Sequence, residues 1–306
     1  MSDQSPPSPV ASKPRICVIV MAYNEEARIA ACLASLPCGE PDVAVHVVVN
    51  GTTDRTADIA RGFAGAQVHD WQQGGKAPSW NRIMLDTPGV EGDAFVFVDG
   101  DAEVLPGSLE ALIDGLALPG VNAAAGMPVN GRQAAAYRRS IAAEHGLFGD
   151  LYALSGDFVS RLRGSGLRLP EDLIGDDSLI CALAKTDLRH EDHWLDTRVI
   201  PCPGAGFLCD PVTLSVASLR MQWRRMQNYS RRHFQNRIVS SVMRSTGPSG
   251  LPRQMAALYA ANLPDFRPRR DLRYCWFDRQ ALAAMRAEAA AWPRSRQSDG
   301  ARAASE

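Results

Sequence analysis

The sequence predicts an α/β fold: a mostly parallel sheet flanked by helices, with a smaller second lobe and a C-terminal helical extension. Through the first 130 residues of a 306-residue chain, apolar β-branched runs alternate with helix-period stripes. Such alternation builds a sheet covered on both faces. After about residue 130 the rhythm gives way to short turn-rich segments, and long helical candidates follow.

Each element has its own signal. Ile16–Val20 is a continuous apolar run, as expected of a strand buried on both faces. Asn24-Glu25-Glu26 reads as a helix start, with Asn24 as cap and the acids at the positive end. Ile29, Leu33 and Leu36 form the stripe of that helix, and Pro37 and Gly39 end it. Val43–Val49 is a second buried strand, closed by Asn50-Gly51. Asp54 opens a short helix through Phe63, and Ala66–Val68 is a weaker strand. Ser79–Leu85 is a helical piece, Ala94–Val98 another apolar strand, and Leu109, Leu112, Ile113 and Leu116 another helical stripe. Beyond it, 146–175 reads as turns and 176–184 as a helix. An irregular stretch ends in Pro201-Cys-Pro-Gly204, a long helix runs from Thr213 to about Ile238, and a last one spans Arg279–Ala291. The organisation expected is a disordered leader 1–14, an α/β lobe 15–130, a second lobe 131–240 and an extension 241–306 whose polar tail frays.

Composition narrows the function. A formal net charge of -1 gives no global attraction to nucleic acid or to an anionic membrane. Seven cysteines, an odd number in no ligand or disulfide rhythm, fit a reducing compartment, and Cys17 reads as a small core residue. Met1–Pro14 has four prolines and no apolar h-region, so it does not read as a signal peptide. No run approaches the ~18 apolar residues of a membrane-spanning helix. These features predict a cytoplasmic protein, with peripheral contact at the inner membrane face left open. His190 and His193 lack the further ligand spacing of a zinc site and read as surface residues.

The sharpest chemical signal is Phe97-Val98-Asp99-Gly100-Asp101. In an extended segment residues i and i+2 point the same way, so both carboxylates could face one cation. Mg²⁺ needs only one or two protein carboxylates when phosphates and waters complete its shell. Taken alone, the same residues are an acidic turn before a helix. A second signal is the basic span Arg220–Arg237, with six arginines and no acid. Leu219, Trp223 and Met226 give it one packing face. It reads either as a phosphate-binding element or as an amphipathic helix on an anionic membrane surface.

Five blocks in order resemble family 2 glycosyltransferases. They are Ile16-Cys-Val-Ile-Val-Met-Ala-Tyr-Asn-Glu-Glu26, Val47-Val-Val-Asn-Gly-Thr-Thr-Asp-Arg-Thr56, Gly75-Lys76-Ala77 with Asn81, Val98-Asp-Gly-Asp101, and Leu169-Pro-Glu-Asp-Leu-Ile-Gly-Asp-Asp-Ser178. The resemblance implies a GT-A fold, a nucleotide-diphosphate-sugar donor, a divalent cation (Mn²⁺ or Mg²⁺) and inversion at the anomeric carbon. The lobe 15–130 would bind the nucleotide sugar, and 131–240 would be the acceptor side. Residue by residue, Ala22, Tyr23, Asn24 and Glu25 would lie beside base and ribose, Asn50 near the base, and Lys76 near the phosphates or base. Asp99 and Asp101 would hold the metal, and Asp177 would be the general base with Asp176 beside it. Arg224, Arg225 and Arg231 would meet the leaving diphosphate, although Gln222-Trp-Arg-Arg225 lacks a tryptophan where the family has one. Tyr152, within the glycine-flanked segment Gly146–Gly156, could stack on an acceptor sugar. An aspartate commonly stands where Val49 or Asn50 does, so the expected UDP-sugar has a GDP-sugar as its alternative. The acceptor would be a hydroxyl on a glycan or a lipid-linked carrier. A nucleotidyltransferase is the rival enzyme, but it would open with a glycine-rich basic loop where Met21–Glu26 is acidic. A non-catalytic module that binds nucleotide sugars is the rival without chemistry.

Overall fold

The strands begin where the apolar runs begin: β1 Ile16–Ala22, β2 Val43–Asn50, β3 Ala66–Trp71 and β4 Ala94–Asp99. The computed structural model describes residues 15–209 and 216–292, and for 216–221 the backbone alone. The expected leader, the helix start at Thr213, the side chains of Leu219 and Arg220, and the frayed tail lie outside the described residues.

The remaining elements are β5 Ala102–Val104, β6 Ala123–Pro128, β7 Leu151–Ser155 and β8 Val199–Cys209. The helices are α1 Ile29–Ala34, α2 Thr56–Arg61, α3 Lys76–Asn81, α4 Ser108–Leu116, α5 Ala134–Glu144, α6 Gly156–Ser165, α7 Asp176–Thr186, α8 Val216–Ser245, α9 Ala256–Asn262 and α10 Leu272–Ala291. The described strands form one sheet in the order β3-β2-β1-β4-β7-β6-β8-β5. β3, β2, β1 and β4 run parallel, whereas β7 is antiparallel to both β4 and β6. That reversal brings the start of β7 beside the end of β4, with Val98 opposite Leu151.

Period-two alternation divides the core into two layers. Val18, Val20, Val47, Val96 and Val98 face one side, where α1, α2 and α4 cover them. Ile19, Met21, Phe95, Phe97 and Tyr152 face the other, against side chains of α3, α6, α7, α8, α9 and α10. Cys17 belongs to this second layer and is fully buried. Phe234, Ile238, Tyr259, Leu282 and Met285 join the same layer, so the segment after residue 240 shares the core of the sheet.

Several expectations need correction. Asn24 does not cap a helix: its backbone is left-handed (φ 54°) and α1 begins only at Ile29. The piece expected over 79–85 starts earlier, at Lys76, and continues as a π turn over Arg82–Asp86. The span 146–175 holds β7 and α6, and the irregular stretch around Pro201 is the strand β8. Helices α5 and α9 had no clear stripe, because alanine is their commonest residue. The last helix starts at Leu272, where Asp271 accepts from the Arg273 amide at 2.8 Å.

Candidate active site

The carboxyl ends of β1, β2 and β4 stand side by side, with Ala22 opposite Val49 and Met21 opposite Asp99. They open onto a pocket of about 410 Å³ lined by Ala22, Tyr23, Glu25, Asn50, Lys76, Asp99 and Asp101, among others. Asn24 does not line it. Its side-chain Oδ1 accepts from the Thr53 amide at 2.9 Å, and its own amide donates to Thr52 Oγ1 at 3.2 Å, so it braces the turn after β2. Asp54 Oδ1 accepts from the Thr56 amide at 3.0 Å, and the Thr56 hydroxyl in turn receives the Glu25 amide at 2.8 Å. The loop carrying Tyr23 and Glu25 is thereby tied to the start of α2.

Asp99 and Asp101 reach the same pocket by a turn, since β4 ends at Asp99 and the chain reverses at Gly100. A Cβ at Gly100 would come within 2.9 Å of the Ala22 Cβ, which explains a glycine between the two acids. Lys76 donates to Asp99 Oδ1 at 2.6 Å. Arg28 lies 3.7 Å from Asp101 and 2.5 Å from Glu25. Burial pushes the Glu25 carboxyl up to about 7, Asp101 adding to the rise and Arg28 opposing it. Burial also raises Asp99 well above the usual carboxylate range, against the pull of Lys76, with Asp150 and Asp101 adding. Burial disfavours the Lys76 charge, but Asp99 and Asp176 outweigh it, so Lys76 stands well above its ordinary value. Acids and lysine move up together because carboxylates outnumber cations here.

That charge excess, offered by oxygen atoms alone, suits a hard divalent cation. Among the described residues there is no group of three or more His, Cys, Asp or Glu side chains that could hold a metal ion. A cation at Asp99 and Asp101 would therefore complete its shell from oxygens of a bound ligand.

A larger cavity, of about 850 Å³, adjoins the first and shares Lys76 and Asp99 with it. Asp176 and Asp177, in the first turn of α7, lie on its wall. Asp177 is held at 2.9 Å by Arg232, which also donates to Ser178 Oγ at 2.5 Å. Asp176 is buried, and its Oδ2 has no hydrogen-bond partner. Burial raises the Asp176 carboxyl, Lys76 opposing and Asp177 adding. The loop before α7 is pinned from α8, because Gln235 accepts from the Ile174 amide at 2.8 Å and donates to the Asp172 carbonyl at 2.9 Å. Gly175 has φ 91°, and an added Cβ would run into the Arg232 guanidinium.

Four further expected site residues line neither cavity. Tyr152 is 1% exposed, stacked on Phe97 at 4.6 Å, and its hydroxyl accepts from Trp80 Nε1 at 3.1 Å. Its ring is a core plate with no face for a sugar. Arg231 pairs with Glu288 of α10 at 2.5 Å and lines neither cavity. Arg224 is exposed and lines neither cavity. Arg225 acts electrostatically on Asp150, though it lines neither cavity.

The residues missed by sequence reasoning are Asp150, Tyr137, Trp194, Tyr229 and Arg232. Arg225, Tyr229 and Arg232 repeat at i, i+4 and i+7, a helical phase that could have singled out Arg232 over Arg231. Asp150 had no such signal. It reaches Asp99 only because β7 is antiparallel, with the Asp99 amide donating to the Asp150 carbonyl at 3.2 Å.

Comparison with known proteins adds the family. The sequence profile of glycosyl transferase family 2 matches residues 17–160. Protein RfbJ of Shigella flexneri is 36% identical over 86 residues, which are 28% of this chain and 64% of that protein. Among solved structures, the chain is similar to the mannosyltransferase PcManGT of Pyrobaculum calidifontis, determined with GDP-Man and Mn²⁺. The TM-score is 0.58 at 22% identity, over 96% of this chain and 81% of that one. Glucosyl-3-phosphoglycerate synthase of Mycobacterium tuberculosis, determined with Mn²⁺, UDP-Glc and phosphoglyceric acid, gives 0.50 at 22% identity, over 71% and 78% of the two chains. These likenesses fix the fold as the GT-A type. The profile match falls on the strands and loops that build the first pocket, so residues 17–160 carry the likeness to glycosyl transferase family 2.

Proposed function

We propose that this chain transfers a sugar from a nucleotide diphosphate to a hydroxyl acceptor with inversion at the anomeric carbon. The observation that carries the reading is the meeting of two cavities at Lys76 and Asp99, with Asp177 lining the larger one. Base and ribose lie along Ala22, Tyr23, Glu25 and Asn50, and the diphosphate reaches Lys76. Asp99 and Asp101 hold a divalent cation, which when bound offsets the negative charge of the diphosphate. The related mannosyltransferase and synthase, solved with Mn²⁺ and a nucleotide sugar, support that assignment.

In the reaction an acceptor hydroxyl in the larger cavity gives its proton to Asp177. Its oxygen bonds to the anomeric carbon, and the bond from that carbon to the diphosphate oxygen breaks. Arg232 holds the Asp177 carboxylate in place. Hydrogen bonds from Arg232 and from the Ser178 amide leave the carboxylate little rotational freedom, so the base is preorganised.

The test is thermal stabilisation of the full chain by UDP, GDP and their sugars, with and without Mn²⁺, followed by a transfer assay. A ligand that binds the folded state at ~100 times its dissociation constant adds about 2.7 kcal/mol. A shift with one nucleotide that grows with Mn²⁺, followed by sugar transfer, is the expected result and identifies the base. A shift without any turnover would favour the binding-module alternative, and nucleotidyl transfer from a triphosphate the other rival.

A further inference from the structure

The larger cavity differs from the donor pocket in what rims it. Tyr137, Trp194 and Tyr229 all line it, and their side chains remain 38%, 41% and 46% exposed. Tyr137 packs edge-on against Phe148 at 5.2 Å, and Tyr229 lines the same cavity. Trp194 is fixed by a hydrogen bond from Nε1 to Asp196 at 3.0 Å and by Lys185 lying 4.8 Å from its ring. These are rigid, half-exposed plates, each an apolar face with a polar tip. A pyranose ring has the complementary form, an apolar C–H face edged by hydroxyls.

The charges of the cavity say what else the ligand must be. Among the described residues, six carboxylates line it (Asp99, Glu144, Asp150, Asp176, Asp177, Asp196) against three cations. None of those cations is left for an acceptor: Lys76 serves the donor diphosphate on the reading above, Lys185 holds Asp196 at 2.7 Å, and Arg232 holds Asp177 at 2.9 Å. An acceptor bearing phosphate or carboxylate would have to break one of these pairs and then sit among the remaining acids. A neutral acceptor avoids both penalties, and its hydroxyls can donate to the carboxylates that line the cavity.

We infer that the acceptor is an uncharged saccharide, stacked on Tyr137, Tyr229 and Trp194, and that the cavity selects against phosphorylated or carboxylated acceptors. This rests on the transferase reading above. It also separates this chain from the structurally similar synthase whose bound acceptor is phosphoglyceric acid.

The test uses the full chain and first records the nucleotide-induced thermal shift, which reports the donor site by itself. Nucleotide release is then measured with methyl glycosides and neutral disaccharides of glucose, mannose and galactose. The same sugars as 1-phosphates, and 3-phosphoglycerate, form the acidic arm. Neutral saccharides should stimulate release and gain one sugar by mass, and the acidic probes should not. Tyr229→Ala and Trp194→Ala should each raise the acceptor KM about tenfold, as the loss of about 1.4 kcal/mol of contact would. The nucleotide-induced shift of each variant checks that it is folded. Stimulation by the acidic probes alone, no response to any neutral saccharide, or an unchanged acceptor KM in both folded variants would overturn the inference while the donor reading stands. Absence of any nucleotide shift in the unaltered chain would remove the donor reading and this inference with it.

Discussion

Asp176 and Asp177 are neighbours in sequence with different surroundings. Asp177 is tied to a guanidinium and to the Ser178 amide at 2.9 Å, whereas Asp176 is walled in and has an orphan oxygen beside Lys76. On the proposed mechanism the first is the oriented base and the second sets the charge of Lys76. Asp177→Asn should therefore abolish transfer while the nucleotide thermal shift persists, because the amide cannot take the acceptor proton. Asp176→Asn should weaken donor binding more than it lowers turnover. Measuring kcat and donor Kd for both variants separates the roles, and an active Asp177→Asn enzyme would exchange them. The pair is readable in the sequence as an acidic doublet. What each acid touches is not, since Arg232 arrives from 55 residues downstream.

At the scale of the element, α8 decides which arginines serve the site. The face bearing Arg232 meets α7 and its preceding loop, and the face bearing Arg231 meets α10. Loss of Arg231 should thus act on stability. Arg231→Ala strands Glu288 and removes a contact with Tyr259, and we expect a loss of about 1–2 kcal/mol with kcat little changed. Arg232→Ala should lower kcat at least tenfold while the nucleotide thermal shift remains, because Asp177 loses its orienting partner. Urea denaturation and steady-state kinetics on the two variants would show this contrast, and equal kinetic losses would refute the phase argument. The charge of the basic span was plain from the sequence, but its division between two neighbours depends on helices packed against it from distant parts of the chain.

For the whole molecule, the sheet carries a buried histidine whose titration should make stability depend on pH. His46 on β2 is 3% exposed, with Nδ1 at 3.0 Å from Nε2 of His69 on β3. Burial lowers the His46 pKa to about 4, with His69 and Arg15 adding to the fall. The unfolded chain, with an ordinary histidine value near 6.5, then binds more protons than the folded one between those limits. Stability contributed by the neutral ring is fully present above pH ~6.5 and is lost as pH falls toward ~4. Urea midpoints measured from pH 4.5 to 7.5 should rise with pH, and the rise should be smaller in His46→Gln. Parallel curves for the two proteins would show that His46 makes no such contribution. No helix among the described residues is long and apolar enough to cross a membrane.

The sequence by itself determined the alternating strands and helices of the first lobe, because buried parallel strands must be continuously apolar and their helices must be striped. It also marked the polar residues at the strand ends, Asn50 and Asp99, since a sheet of this kind exposes its ligands' edge there. The five ordered blocks carried the family. Only the tertiary structure decided that β7 turns back against β4 and delivers Asp150, that Tyr152 is a core plate, and that Arg232 rather than Arg231 meets the acidic pair. It also placed α9 and α10 on α8 within the core layer that supports the site. In each case the deciding partner lies far away in the chain, and no local period or propensity records it.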